Sequence, residues 1–486
     1  MRSVGVPRDS AGTARARSRV TRYHVVGIGG MGMSAIARLL LARGDAVSGS
    51  DRGAWPLAQA LAADGARVST SFDAVNVDGA DVVIRSSAYG DANPEVSAAR
   101  ARGILVWKRE DAWRELAAGK RVIAVAGTHG KSTTTALVWT ALRAGGLEPS
   151  LVCGAVLRDL GSNAFAGAGD TLVIEADEYD RAFLALAPEV AVITNVEHDH
   201  VDVFPTRADV DAAFAGFSER VVLSGRIVAC ADDPGAARLA ADAGRAGRSA
   251  ATYGTAAGAT YRILGLAERA EGVRFDLTGP FAGRVNVALR MAGAHNARNA
   301  AGALAAGHAL GVAPSVAAVA LASFGGTERR LEDLGSAGGV FVVDDYAHHP
   351  TEIRASIAAV RPRVSAGRVV VLFQPHTASR LRAFFDDFAE ALRTADLSVV
   401  AETFASAREL PDDRAGARAL AAKAGGAYAA DPESAARALA ERVRPGDLVL
   451  VLGAGDIRPA GVRLLALLRS REPVPGPQGG AARGPG

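Results

Sequence analysis

Short apolar runs alternate along most of this chain with longer stretches rich in alanine and leucine. Tyr23 to Val26, Val82 to Ile84, Ile104 to Val106, Arg121 to Ala126, Thr171 to Ile174, Ala191 to Thr194, Val340 to Val343, Arg368 to Phe373 and Leu448 to Leu452 are such runs. Each has the length of a buried strand, and helix-like stretches such as Ser34 to Ala42 separate them. That alternation is the βαβ rhythm of a parallel sheet covered on both faces. The rhythm restarts twice. A helix-like stretch around Trp113 to Ala118 ends at Gly119 before a new strand opens at Arg121, and Gly325-Gly326 breaks the pattern again within Phe324 to Glu332. The expected division is an N-terminal unit at 22–119, a central unit at 120–327 and a C-terminal unit at 328–470, all α/β, with disordered tails at 1–21 and 471–486. A length of 486 residues suits about three domains.

Composition narrows the class. The chain is 49% hydrophobic and 22% charged, and its charge-free apolar runs stay far below a membrane span, so no membrane insertion is expected. Met1 to Arg22 is arginine-rich without an apolar h-region, which argues against a secretory signal. Much of the basic excess sits in that tail, so the net charge of +3 says little about the folded body, and no nucleic-acid partner is expected. Cys153 and Cys230 stand far apart in apolar surroundings. They suggest buried small hydrophobes in a reducing cytoplasm, not a disulfide framework or a zinc site.

Two glycine loops carry the chemistry. Gly27-Ile28-Gly29-Gly30-Met31-Gly32 follows a strand and opens a helix, the setting in which backbone amides meet a diphosphate. Asp51 ends the next strand, where a carboxylate meets a ribose hydroxyl. This loop fits NAD, FAD or a UDP-sugar. Gly127-Thr128-His129-Gly130-Lys131-Ser132-Thr133 follows the Val122 to Ala126 strand and precedes a helix expected to begin near Thr134. Its logic is that of a phosphate loop: amides cradle phosphates, Lys131 reaches the β/γ oxygens and Ser132 ligates Mg2+. The usual spacing puts a glycine where Val125 stands. Lysine is scarce here (Lys108, Lys120, Lys131 and Lys423 only), and one of the four sits where a compact ammonium suits polyphosphate.

Two acidic stretches follow buried strands: Glu175-Ala176-Asp177-Glu178-Tyr179-Asp180 and Asn195-Val196-Glu197-His198-Asp199-His200-Val201-Asp202. Mg2+ takes oxygen ligands beside substrate phosphates, so each stretch is a candidate to hold one.

With these residues in view, the chain resembles the Mur ligase family, in its alanine-adding branch, over nearly all of Arg22 to Leu468. The carriers are HVVGIGGMGMSAIA (24–37), GTHGKSTTT (127–135), EADEYDRAFL (175–184), TNVEHDH (194–200), GAHNARNAAGA (293–303), DDYAHHPTE (344–352), FQPHTASR (373–380) and GAGDI (453–457). The resemblance implies a Rossmann-like N-terminal domain, a P-loop-type central ATPase domain and a Rossmann-like C-terminal domain. It implies ligation of L-alanine to the carboxylate of UDP-N-acetylmuramate, with ATP and Mg2+, through an acyl phosphate, in a cytoplasmic monomer or weak homodimer.

By position, UDP would meet Gly27, Gly29, Gly30, Gly32 and Asp51. ATP would meet Gly127, Thr128, His129, Gly130, Lys131, Ser132 and Thr133, with His295 and Asn299 near the adenine and Arg330 and Asp345 approaching from the C-terminal domain. Ser132 and Glu175 would hold Mg2+, and His200 a second ion. Tyr346, His348, His376 and Arg380 would line the amino-acid region, with Lys131, Glu175, His200, His349 and Arg380 as the catalytic set and His349 a candidate base. Three positions depart from the family: Ser132 replaces a commoner threonine, Thr377 a frequent arginine, and Glu328 a frequent glycine. No lysine lies between Lys131 and Lys423, so the carbamylated lysine of later-acting relatives has no counterpart. A murein-peptide ligase, an NAD-dependent oxidoreductase and a nucleotide-regulated binding protein are the competing readings.

Overall fold

A computed structural model describes residues 20–364, 366–404 and 416–471. Apart from Val20, Thr21 and Arg471, the two expected tails lie outside the described residues.

The chain forms three sheets. The first holds β1 (Arg22–Val26), β2 (Ala46–Ser50), β3 (Arg67–Ser69), β4 (Val82–Arg85) and β5 (Leu105–Trp107) in the order β3-β2-β1-β4-β5, all parallel. The second has ten strands: β6 (Arg121–Ala126), β7 (Ser150–Leu157), β8 (Ser162–Phe165), β9 (Thr171–Glu175), β10 (Val190–Ile193), β11 (Arg226–Cys230), β12 (Ser249–Gly254), β13 (Tyr261–Arg269), β14 (Gly272–Thr278) and β15 (Val285–Leu289). Their order is β15-β14-β13-β12-β11-β10-β6-β9-β7-β8. The third holds β16 (Glu332–Ala337), β17 (Val340–Asp345), β18 (Val369–Phe373), β19 (Leu397–Ala401), β20 (Ala427–Ala429) and β21 (Leu448–Leu452) in the order β16-β17-β21-β18-β19-β20.

Parallel pairing at the centre of each sheet follows from uninterrupted burial. β10, β18 and β21 are buried at every position, which suits strands covered by helices on both faces. The antiparallel edges did not register in the βαβ rhythm. β8, β14, β15 and β16 pair antiparallel with their neighbours, and their part-exposed patterns lack the solid apolar run of a central strand. The helix after the phosphate loop begins at Lys131, not near Thr134, because Gly130 at φ +78° turns the chain directly into it. Strand β10 ends at Ile193, freeing the Thr194 side chain for the loop beside it.

Two joints position the site. The Met31–Ala42 helix leans on the central unit, where the buried Asn163 amide donates to Met31 O at 2.6 Å and Ser34 Oγ at 3.1 Å. At the other end the chain stays bonded to the central unit through Gly326 and Glu328, whose backbones pair with Arg158 and Val156. It then turns sharply: Arg329 and Leu331 adopt φ values of +56° and +48°. Asp344 and Asp345 hold that turn through the Arg329 guanidinium and the Leu331 amide.

Candidate active site

Strand β6, buried beyond its first residue, delivers the phosphate loop to the end of the central sheet. The loop needs its glycines. Gly127 has φ +141°, and a Cβ there would lie 1.9 Å from Thr194 Oγ1; at Gly130 it would lie 2.8 Å from Asn299 Oδ1. The strand after the loop braces it. Thr194 Oγ1 donates to His129 O at 2.6 Å, the Asn195 side chain accepts from His129 N at 2.8 Å, and Thr128 Oγ1 accepts from Glu197 N at 2.8 Å. No side chain caps the Lys131–Ala144 helix, so its first turn retains the amide donors and positive dipole end that suit an anion. Gly127→Ala is expected to cost at least about 1–3 kcal/mol, since only glycine occupies that φ cheaply. Nucleotide binding would weaken with it. Thermal melts and a nucleotide titration check this, and wild-type values in both would show that the loop tolerates a side chain.

Carboxylates surround the loop lysine. Lys131 Nζ donates to Gly127 O (2.6 Å), Thr128 O (3.1 Å) and Glu178 Oε1 (3.0 Å). Burial works against its ammonium, yet Glu178, Asp177 and Glu175 carry its pKa above the usual value. Ser132 Oγ donates to Glu175 Oε1 at 3.0 Å, and Gly154 N donates to the other oxygen at 2.6 Å. Asp177 pairs with Arg109 of the N-terminal unit at 2.7 Å. Despite burial, Arg109, Lys131 and His200 hold its carboxyl below the ordinary range.

Hard oxygen donors at Ser132 and Glu175 fit Mg2+. Asp177, Glu178 and His200 bring one ligand atom each within 4.8 Å of one another. The expected metal residues thus fall into two groups, Ser132 with Glu175 and His200 with Asp177 and Glu178.

The C-terminal unit closes over this floor. Arg330 lies 3.7 Å from Glu352 and 5.3 Å from the Tyr346 ring centre. Asp345 accepts from the Leu331 and Ala347 amides, and burial raises its pKa to about 6. Burial also lowers His348 to about 4, and burial with Arg298 and Arg330 lowers His295 to about 4. Arg380 forms a buried fork with Asp199 (2.7 and 3.2 Å) and donates to His376 O at 3.1 Å. Three of its five N–H donors are therefore engaged. A guanidinium this buried needs a carboxylate, and Asp199 already supplies one.

Two cavities result. One, of about 310 Å3, runs from His129, Gly130 and Thr133 past Asn195 to Cys230, Asp232, Tyr253, His295 and Asn299, with Arg330 and Asp345 on its far wall. The other, of about 370 Å3, joins Gly32 and Arg109 to Lys131, Ser132, Glu175, His200, Tyr346, His348, His376 and Arg380. Gly130, Arg330 and Glu352 line both.

Most of the expected residues meet at these walls; Gly27, Gly29, Gly30, Asp51, Gly127 and His349 line neither cavity. The His349 ring lies against His129 (4.7 Å between centres) and Phe384 (4.9 Å). Asp51 is buried, with Oδ2 accepting from Gly29 N at 2.9 Å. It braces the first loop from within, where a ribose contact was expected. Arg109 and Glu352 were missed. Arg109 had no signal, being one of several charged residues at the start of a polar helix. Glu352 sits three residues after His349, where helix-capping spacing marks it: its carboxylate accepts from both His348 N and His349 N.

Three α/β units meeting at a phosphate loop flanked by carboxylates define a nucleotide-dependent ligase. Family models match all three parts: "Mur ligase family, catalytic domain" over residues 22–121, "Mur ligase middle domain" over 125–307 and "Mur ligase, glutamate ligase domain" over 329–455. The chain belongs to the Mur ligase family. It is 45% identical to a UDP-N-acetylmuramate–L-alanine ligase from Arthrobacter sp. (strain FB24), across 89% of this chain and 92% of that one. The crystal structure of the UDP-N-acetylmuramate-alanine ligase from Thermotoga maritima aligns with a TM-score of 0.77 at 27% identity, covering 92% of this chain and 99% of the other. A murein peptide ligase from Psychrobacter arcticus shares the fold, with a TM-score of 0.72 at 22% identity over 93% and 100% of the two chains.

Proposed function

We propose that this protein joins L-alanine to the carboxylate of UDP-N-acetylmuramate at the expense of ATP, in the cytoplasm, as a step of peptidoglycan precursor synthesis. One observation carries the reading: the first turn of the Lys131–Ala144 helix is a wall common to two cavities. ATP bound in the first cavity aims its terminal phosphoryl group into the second, where a sugar acid and an amino acid have room. The proposed division of labour runs from a UDP-substrate unit at 22–119 through an ATP unit at 120–327 to an amino-acid unit at 328–470, in a monomer or weak homodimer.

The muramate carboxylate attacks the γ-phosphorus, ADP leaves, and the alanine amine then displaces phosphate from the acyl phosphate. Lys131 neutralises charge on the transferring oxygens, the electrostatic contribution on which phosphoryl transfer depends. Mg2+, when bound, supplies further positive charge there; Ser132 and Glu175 would hold one ion, and Asp177, Glu178 and His200 a second. His348, which lines the second cavity, is the candidate to accept the proton of the amine. Arg330 and Glu352 close the seam above the loop and keep water from the acyl phosphate.

Phosphate release in the presence of UDP-N-acetylmuramate, with a panel of amino acids and the L-alanyl tripeptide of a murein stem, tests the reading. Release dependent on free L-alanine is expected, and release only with the peptide would overturn it. Glu175→Ala is expected to reduce turnover by about 100-fold or more. Steady-state rates across a Mg2+ titration check this, and a near-normal rate would remove Glu175 from the transfer step.

A further inference from the structure

Between the phosphate loop and the C-terminal unit, where His129 and Glu197 line the first cavity, lies a group of side chains to which the ligation steps give no chemical role. His129 and Glu197 stand on the loops after β6 and β10, and His349 begins the Pro350–Val360 helix of the C-terminal unit. One ligand atom from each lies within 4.8 Å of the others. His129 Nε2 is 3.5 Å and His349 Nδ1 3.9 Å from Glu197 Oε2. The Nε2 atom of His349, a residue only 5% exposed, is buried without a hydrogen-bond partner. An unsatisfied imidazole nitrogen in this seam calls for a ligand, because buried polar atoms are otherwise almost always paired.

The surroundings are those of a prepared metal seat. His129 Nδ1 lies 3.3 Å from Glu352 Oε1, so a carboxylate orients the ring nitrogen that a metal would leave free. Thr351 Oγ1 donates to Glu197 Oε2 at 2.7 Å and fixes that carboxylate.

We propose that His129, Glu197 and His349 form a site for a borderline-soft divalent cation, Zn2+ above all, that staples the central unit to the C-terminal unit. Two imidazoles and one carboxylate leave a fourth, tetrahedral position for water. Mg2+ favours oxygen ligands and retained waters, so a seat with two imidazoles selects by ligand softness. Although burial opposes it, Glu352 and Glu197 raise His129 to about 10. A metal entering there displaces any proton that the imidazoles carry. The inference goes beyond the proposed ligation; only its inhibitory consequence rests on that reading. A metal joining the two units holds the cavities closed, and turnover stops because none of the three products can leave.

Co2+ and Zn2+ are titrated into the full-length protein under excess Mg2+, following the visible Co2+ spectrum, proton release and, separately, phosphate release. One equivalent of Co2+ should give a tetrahedral spectrum, displaced by Zn2+, with a proton released on binding. Affinity should fall by at least about tenfold in His349→Ala and in Glu197→Gln, and should persist in His200→Ala. Zn2+ should also raise the melting temperature of the wild type and leave that of His349→Ala unmoved. Should His349→Ala fail to fold, the Glu197→Gln titration decides alone. A signal lost in His200→Ala but retained in a folded His349→Ala or in Glu197→Gln places the metal beside Glu178 and overturns the proposal, as does the absence of any spectrum. Binding without loss of turnover keeps the site and removes the closure.

Discussion

Lys131→Ala is expected to lower turnover by about 100- to 1,000-fold, the range for removing one preorganised charge from a transition state. It should also destabilise the protein, an effect that must be separated from the first. Glu178 is 2% exposed, and Lys131 is its ion-pair partner at 2.8 Å. Deleting one member of such a pair leaves a buried charge unmatched, at a cost of about 3–5 kcal/mol. The double variant Lys131→Ala/Glu178→Gln removes both charges, so its melting temperature should return toward wild type while its turnover stays low. Steady-state rates beside calorimetry on the three proteins make the test. A single variant that turns over normally, or a double variant that recovers activity along with stability, would mean that Lys131 holds the fold and not the phosphates.

Asp199→Ala is the second substitution with a large expected effect. Asp199 and Arg380 are 4% and 5% exposed, respectively, and face each other from the central and C-terminal units. Asp199 is held well below the ordinary carboxylate range, because Arg380 and His200 overcome its burial. Removing it strands a buried guanidinium, again at about 3–5 kcal/mol. Since the pair spans two units, the cost should appear as opening of the seam before global unfolding. Limited proteolysis around 325–331 should accelerate, and the KM for L-alanine should rise more than kcat falls. Unchanged cleavage and unchanged KM together would show that the fork is dispensable. The sign with pH is set by the same pair. A carboxyl depressed in the folded state contributes stability above its unfolded pKa, about 3.9, and that contribution is lost as pH falls through the lower folded value. The seam therefore loosens only in strong acid.

Much of the site was legible in the linear chain because phosphate chemistry is local. Gly127, Gly130, Lys131 and Ser132 act through one loop and one helix start, so their order alone announces a nucleotide. Glu175 and His200 were legible for a related reason: each follows a buried strand, and parallel strands deliver their ends to one edge of the sheet. Asp51 shows where such reasoning stops. Its place at a strand end suggested a ribose contact, yet its carboxylate reaches inward to Gly29 N at 2.9 Å. No periodicity states which way a strand-end side chain turns.

Local signals, then, determined on their own that this is a chain of α/β units with a phosphate loop, since strand length, glycine spacing and apolar period depend only on near neighbours. The closed seam was decided in three dimensions alone. Arg109 meets Asp177, Asp199 meets Arg380, and His129 stands between Glu197 and Glu352 across 68, 181, 68 and 223 positions of chain, respectively. Pairing a buried charge depends on which surfaces the packed units bring together. That is a property of the folded assembly of sheets, which no window of sequence contains.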